Sequence, residues 1–572
     1  MNKEEPIQGA VVSIVSNDSI LFSKGYGLAN IDTQTAFDPV KTNVMVASVS
    51  KLITTTAILQ LIEQGKIALD QPVSELIGDV QIENPFDTPV LVKHVLTHTA
   101  GFDDYSIGSG ARSFNELESL RAHLEKRLPP IVWEPGKYFN YSNLGMVLMS
   151  YVVENVSGTS YHDYLEKNVL SPLSMQNSGF AYEDKSIKNM MTRYKWKEDD
   201  NGNLFLDNSY GVKYTNQIGA GGFQTTANDM NHFMQMYLNN GLYNDTQILK
   251  SETIQEAFKP HFYYHELMNR KQGLGWKVGT SEGVNYVAHA GDDTAIESLV
   301  VLFPESNLGY FFASNNNEAF ELKYKIRDFI VNQLKGKERN LTSSSHTSSS
   351  NLESLTGTYQ YMNDGQASIE RLFSYLFGDV YNVENNNGKL LIGGENYTEI
   401  DDLLFQRDEK NFLIKFLVDK KGSYFTSGYA TYRKLSSIEK PSLHLNLLIA
   451  CFLIFVLSLI LWVIRYFKSK IISKPKLYFG LSIFSLTLFF ALLAAMTSGG
   501  NPRYGLPPIF YLIFTFPIIG ILFSTLGLSS TFKFYLNQSI SLFNKLHMSL
   551  VILSIVICLM IFNYYNLIGY YF

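Results

Sequence analysis

Residues 44–69 read VMVASVSKLITTTAILQLIEQGKIAL, with two serines and one lysine at the head of a long apolar run. Ile53, Ala57, Ile58, Leu61 and Ile62 recur at helical spacing, and Gly65 stands where a left-handed C-terminal cap belongs. The run predicts a helix buried against a sheet. On a helix, residues three apart share a face and adjacent ones do not, so Lys51 reaches the side chain of Ser48 and points away from Ser50. A serine hydroxyl is a poor nucleophile at neutral pH. A lysine kept neutral by burial, or a nearby phenolate, can take its proton, and a helix N-terminus favours the negative charge that develops.

The pair is not decisive alone, because Ser-x-x-Lys recurs at Ser437/Lys440, Ser473/Lys476 and Ser530/Lys533. Tyr141-x-Asn143 also has parallels, at Tyr214/Asn216, Tyr361/Asn363, Tyr535/Asn537 and Tyr564/Asn566. The surroundings carry more. GAVVSIV and ILFSKGYGLAN, around the turn SNDS, read as two strands before the helix. GLGWKVG, VNYVAHAG, ESLVVLFPE and LGYFFASN read as strands well after it, with helical segments such as YSNLGMVLMSYVVENVSG between. Strands at both ends must meet, which gives an α+β fold with an antiparallel sheet flanked by helices.

Several blocks in fixed order resemble the serine β-lactamase and penicillin-binding protein superfamily, in the branch of class C β-lactamases, D-aminopeptidases, esterases and D-Ala-D-Ala carboxypeptidases. They are VASVSKLITTTAILQLIEQGKIALDQPV, VLVKHVLTHTAGF, WEPGKYFNYSNLGMVLMSYVVENVSGTSYHDYLEKNVLSPLSM, AGGFQTTANDMNHFM, GLGW and VAHAGDD. The resemblance implies a β-lactamase/transpeptidase-like fold with Ser48 as the acylated nucleophile, Lys51 as its partner and Tyr141 as the proton shuttle that later activates the deacylating water. It implies that Asn143 orients the lysine and the substrate amide. His289-Ala290-Gly291 takes the place of the family's third element on an edge strand, and the backbone N–H groups of Ser48 and Asp292 form the oxyanion hole. His98 is expected to shape a loop without doing chemistry. Two features depart from the family pattern: the chain starts nearly at the first strand, without the helix that usually precedes it, and Asp292 and Asp293 stand where relatives carry neutral text. Those two carboxylates could attract a substrate ammonium group.

No basic stripe accompanies the net charge of −6, which argues against a nucleic-acid partner. Both cysteines, Cys451 and Cys558, lie in apolar stretches near the C-terminus, so disulfides and thiol catalysis are excluded from the segment that holds these blocks. No His, Asp or Glu set has metal-ligand spacing, and no cofactor is expected.

At 572 residues the chain is too long for one domain. The expected organisation is a serine hydrolase domain at 1–335, a Ser-rich linker at 336–353, a small β-barrel or sandwich at 354–436 and four transmembrane helices within 441–572. The spans are Leu445–Ile464, Leu477–Met496, Ile509–Leu528 and Met548–Leu567, each about 20 residues, enough to cross a bilayer. The first connection carries Arg465, Lys468, Lys470, Lys474 and Lys476, the second only Arg503, and the third Lys533 and Lys545. The positive-inside rule then puts everything before Leu445 outside the cell. The N-terminal residues have no apolar stretch of signal-peptide type, so an exported domain calls for an export signal upstream.

The expectation is a multi-pass, membrane-anchored serine hydrolase acting through an acyl-enzyme on amide or ester bonds of D-amino-acid-containing peptides or cell-wall-related compounds. Its partners are a small-molecule or peptide substrate and the lipid bilayer, with oligomeric state open. The alternatives are a prodrug-activating D-amino-acyl peptidase and a slowly deacylating penicillin-binding-type sensor.

Overall fold

The two strands read at the N-terminus form a hairpin, β1 (Gly9–Ser16) and β2 (Ile20–Asn30), whose first strand also pairs with one from far along the chain. The computed structural model describes residues 6–180, 187–335, 351–363, 365–378, 380–408, 412–469, 502–508, 510 and 541–568. With β3 (Thr35–Ala36), β4 (Arg270–Gln272), β5 (Lys277–Ser281), β6 (Val284–Asp293), β7 (Ile296–Phe303) and β8 (Leu308–Ser314) the hairpin builds an eight-stranded antiparallel sheet of order β4-β5-β6-β7-β8-β1-β2-β3. Successive side chains on a strand point to opposite faces. Val11, Val287, Val300, Leu302 and Phe311 therefore join the larger core under α1 (Ser50–Glu63), α2 (Asn143–Ser157) and α3 (Ala227–Leu238). Ala10, Val12, Leu299, Val301 and Phe312 face α4 (Phe320–Leu334) instead. Covered on both faces, β7 is buried at every position, which explains the apolar run Leu299–Phe303.

Helix α1 is buried from Ser50 to Leu61, and Gly65 at φ +68° supplies the left-handed residue after its end. Its hydroxyls are all the more in need of partners. Thr54 Oγ1 lies 2.7 Å from Gly219 O and 2.6 Å from Tyr161 Oη; Thr56 Oγ1 lies 2.8 Å from both Leu52 O and Tyr237 Oη. The short turn Ile218–Gly221 wedges between α1 and α2, and a Cβ at Gly219 would stand 1.6 Å from Ser150 Oγ, so only glycine permits the approach.

The expected β module closes as a barrel of eight strands: β9 (Gly357–Tyr361), β10 (Val380–Asn386), β11 (Lys389–Ile392), β12 (Glu395–Asp401), β13 (Leu404–Arg407), β14 (Leu413–Asp419), β15 (Gly422–Thr426) and β16 (Thr431–Lys434). Phe405, Phe416 and Phe425 alternate inward and stack in succession, with ring centroids 5.4 and 5.6 Å apart. The described chain divides into two compact units, one of Met1–Asp104, Ser109–Leu355 and Asn385–Tyr432, the other of Tyr105–Gly108, Thr356–Glu384 and Arg433–Phe572. Most of the Ser-rich stretch expected as a linker lies outside the described residues.

In the second unit, which also holds the short α5 (Glu370–Phe377), α6 (Pro441–Ser469) packs on α7 (Leu542–Tyr564) through Cys451, Phe455, Val551, Ile555 and Cys558, and both cysteines are free thiols. Leu445, Ile449, Leu453, Leu457 and Ile460 form an exposed apolar stripe along α6. The expected spans Leu445–Ile464 and Met548–Leu567 fall on these two helices; the other two lie, apart from Phe510, outside the described residues. Among the described residues two helices are long and apolar enough to cross a bilayer, by length and composition.

Candidate active site

Ser48 lies in a tight 3-10 turn, Ala47–Val49, that leads into α1. Ala47 is held at φ +43°, a backbone region that non-glycine residues rarely occupy, so the surrounding packing imposes this turn. The two serines part company here. Ser48 is partly exposed, whereas Ser50 is buried, with Oγ donating to Ala47 O at 2.5 Å and accepting from Phe223 N at 3.0 Å. Ser50 thus ties the turn to a neighbouring strand.

Lys51 is fully buried, and its Nζ lies within hydrogen-bond distance of Ser48 Oγ at 3.0 Å, Asn143 Oδ1 at 2.8 Å and Ala220 O at 2.8 Å. Burial holds its amine well below the ordinary lysine range; Lys213 and Lys277 push the same way, against Asp104 and Asp293. Its Nζ also lies 4.8 Å from the centroid of the Tyr141 ring. Tyr141 and Asn143 straddle the start of α2, so one helix entry delivers both to the lysine. His98, at φ +54°, sets its ring 4.2 Å from that of Tyr141 and accepts from Ser142 N at 3.3 Å. Burial, then Lys51, His289 and Lys277, holds His98 well below the usual imidazole range, so its ring is neutral.

β6 forms the opposite wall. Gly291 packs against the serine turn so closely that a Cβ there would stand 2.1 Å from Val46 O, 2.4 Å from Ser298 Oγ and 3.1 Å from Ser48 N. His289 is buried, with Nδ1 donating to Ala290 O at 2.8 Å, and is kept neutral by burial and by the charges of Lys277 and Lys51. Asp292 does not join the group: its carboxylate pairs with Lys323 on α4. Asp293 pairs with Lys213 at 2.5 Å. The idea that these carboxylates await a substrate ammonium is therefore corrected, because each already holds a lysine. Among the described residues no group of His, Cys, Asp or Glu could hold a metal ion.

Beside this arrangement of a turn serine, a buried lysine, a tyrosine and the strand β6, which is an internal strand of the sheet and not the expected edge strand, stands the comparison with known families, in which the family described as Beta-lactamase matches residues 1–333. The chain belongs to the β-lactamase family. This is a family of serine hydrolases. Protein flp of Staphylococcus aureus (strain COL) is 27% identical over 342 residues, covering 57% of this chain and 64% of its own length. Beta-lactamase-like protein 2 of Dictyostelium discoideum is 27% identical over 274 residues, covering 45% of this chain and 46% of its own. The chain thus spans less than two thirds of each relative's length. Among solved structures SurE superposes with a TM-score of 0.54 at 18% identity, covering 75% of this chain and 95% of that one, a likeness of fold.

Two groups of this β-lactamase-family site escape the sequence reading. Asp104 receives Asn143 N at 3.3 Å, Asn143 Nδ2 at 3.2 Å and Leu144 N at 3.3 Å. It caps α2 and turns the Asn143 carbonyl toward Lys51. Burial pushes its carboxyl up to about 6 against those hydrogen bonds and the Lys51 charge. Its signal was local: Asp104 stands two residues after the block ending in His98-Thr99-Ala100-Gly101-Phe102. The second group, the Lys213 to Asp293 pair and Lys277, comes from distant segments that no spacing links.

Proposed function

We propose that the chain is a membrane-anchored serine hydrolase that cleaves amide or ester bonds through an acyl-enzyme on Ser48, with D-amino-acid-containing peptides or related acyl compounds as substrates. One observation carries the reading: a fully buried lysine, whose amine burial holds well below the ordinary lysine range, lies 3.0 Å from the hydroxyl of a partly exposed serine in a strained turn. Lys51 takes the proton as Ser48 attacks the scissile carbonyl. Tyr141 passes a proton to the leaving group and then activates water to release the acyl group. The N–H groups of Ser48 and Asp292 receive the developing oxyanion, and His289 and Gly291 line the strand beside it. The structure of SurE with D-Leu supports testing D-amino-acid substrates first. The exposed apolar stripe of α6 and the basic cluster after it support an anchor with the hydrolase outside the membrane.

The test is turnover of a D-amino-acid peptide panel by the full chain. Steady hydrolysis supports the reading; a burst of acylation without turnover supports a sensor. Two variants bear on the geometry. Gly291→Ala drives a methyl into Val46 O and the serine turn, and an ångström-scale displacement of that wall is expected to lower kcat/KM by about 100-fold. Asp104→Asn removes a negative charge that raises the Lys51 pKa, so Lys51 falls further and the acidic limb of the kcat/KM profile shifts to lower pH. A limb that moved to higher pH would contradict the role given to Lys51.

A further inference from the structure

Two walls of the site meet in one side chain. Lys213 Nζ pairs with Asp293 Oδ2 at 2.5 Å, at the end of β6, and donates to Gly221 O at 3.3 Å, at the end of the turn Ile218–Gly221. The residue before Gly221 is Ala220, whose carbonyl lies 2.8 Å from Lys51 Nζ. The residue before Asp293 is Asp292, whose N–H is proposed to receive the oxyanion. Lys213 thus joins the neighbour of a lysine acceptor to the neighbour of an oxyanion donor.

Both walls lie against the serine turn. A Cβ on Gly221 would stand 3.5 Å from Lys213 Nζ and 3.9 Å from Ala47 C, and a Cβ on Gly291 would stand 3.1 Å from Ser48 N. The peptide bond between Ala47 and Ser48 is therefore flanked by Gly221 and Gly291. The gap that holds it is set where the two walls are tied together.

The tie runs between segments that are anchored on their own. Tyr214–Thr215, next to Lys213, pairs with Gly110–Ala111, and Thr215 Oγ1 donates to Ser109 O at 2.9 Å. At the other end Asn317 holds the turn after Asp293, its Nδ2 donating to Asp293 O at 2.8 Å and its Oδ1 accepting from Ala295 N at 2.7 Å. The Lys213 side chain is 19% exposed and that of Asp293 7%, so the pair is largely shut from water and little screened by salt.

We propose that Lys213 is a positioning residue, which through Gly221 and Asp293 fixes the distance between the carbonyl that holds Lys51 and the N–H that receives the oxyanion. This rests on the reading of Ser48 as the acylated nucleophile. Cutting the tie weakens the transition state more than substrate binding, because only there must the serine and the oxyanion donor be in place together.

A lysine that acted through its charge alone would behave differently. Lys51 feels Asp104 and Lys277, and Lys213 and Asp293 act on it with opposite sign. Lys213→Met therefore raises the Lys51 pKa and moves the acidic limb of the kcat/KM profile to higher pH. Adding Asp293→Asn moves the limb back without restoring the tie.

The test is hydrolysis of p-nitrophenyl butyrate by the full chain, for wild type, Lys213→Met, Lys213→Met/Asp293→Asn, Lys213→Arg and Ser48→Ala. On the pH plateau kcat is expected to fall about 100-fold in the first two variants with KM changed less than about threefold, and the limb to be displaced only in the single one. Lys213→Arg, which keeps a cation for Asp293 and a donor for Gly221 O, should regain about tenfold of that loss. The double variant leaves no unpaired carboxylate, so it carries the test if Lys213→Met fails to fold. A double variant with the kcat of wild type, or a loss confined to KM, overturns the positioning role. Hydrolysis undiminished in Ser48→Ala overturns the nucleophile assignment, and the positioning role with it.

Discussion

Ser48→Ala is expected to lower kcat/KM by about 10⁴- to 10⁶-fold, the range seen when a nucleophile is removed from a site that acts as a unit. Ser50→Ala should keep the chemistry and lose stability. The contrast follows from the surroundings of the two hydroxyls. Ser48 is partly exposed and its Oγ meets a lysine amine, while Ser50 Oγ is buried between Ala47 O and Phe223 N, so its loss takes that acceptor from Phe223 N, whereas Ala47 O still accepts from Ser50 N. A buried donor left in that way costs about 1–3 kcal/mol. Hydrolysis rates and denaturation midpoints of the two variants should therefore be affected in opposite order. Equal loss of activity in both would mean that the turn, and not a particular hydroxyl, is what matters.

Lys323→Met is expected to be the most destabilising single change in the hydrolase segment outside the site, by about 3–5 kcal/mol. Lys323 is buried on α4 between Glu297, at 2.5 Å, and Asp292. Removing the ammonium leaves Glu297, itself buried on the all-covered strand β7, without its cation. It also frees Asp292, the neighbour of Gly291 on β6, so activity should fall together with stability. The check is the urea midpoint of the full chain, with Lys323→Met/Glu297→Gln as the companion. Removal of the orphaned charge should restore a good part of the loss. A double variant no more stable than the single would show that packing of the lysine stem, and not charge pairing, is what α4 contributes.

Much of this was legible in local pattern. The 3.6-residue spacing after Ser48 gave α1, the cap at Gly65 gave its end, and the i, i+3 rule separated Ser48 from Ser50. Alternating or fully apolar runs gave the strands at both ends of the sheet, since a strand covered on one or both faces must write that fact into its sequence. The polar turn Asn385-Asn386-Asn387-Gly388 marked two of the barrel strands but left barrel and sandwich open, because closure depends on register between strands and not on any one of them. The charges were hardest to read. Asp292 and Asp293 looked like free carboxylates because Lys323 and Lys213 come from other parts of the chain. Ion pairs made across the fold carry no spacing.

The most direct test of the account is the site of covalent modification. After reaction of the full chain with a fluorophosphonate, mass spectrometry of the proteolytic peptide spanning Val44–Leu69 should place the adduct on Ser48, and Lys51→Met should slow its formation sharply. An adduct on Ser50, or labelling of Ser48 at an undiminished rate without Lys51, would contradict it.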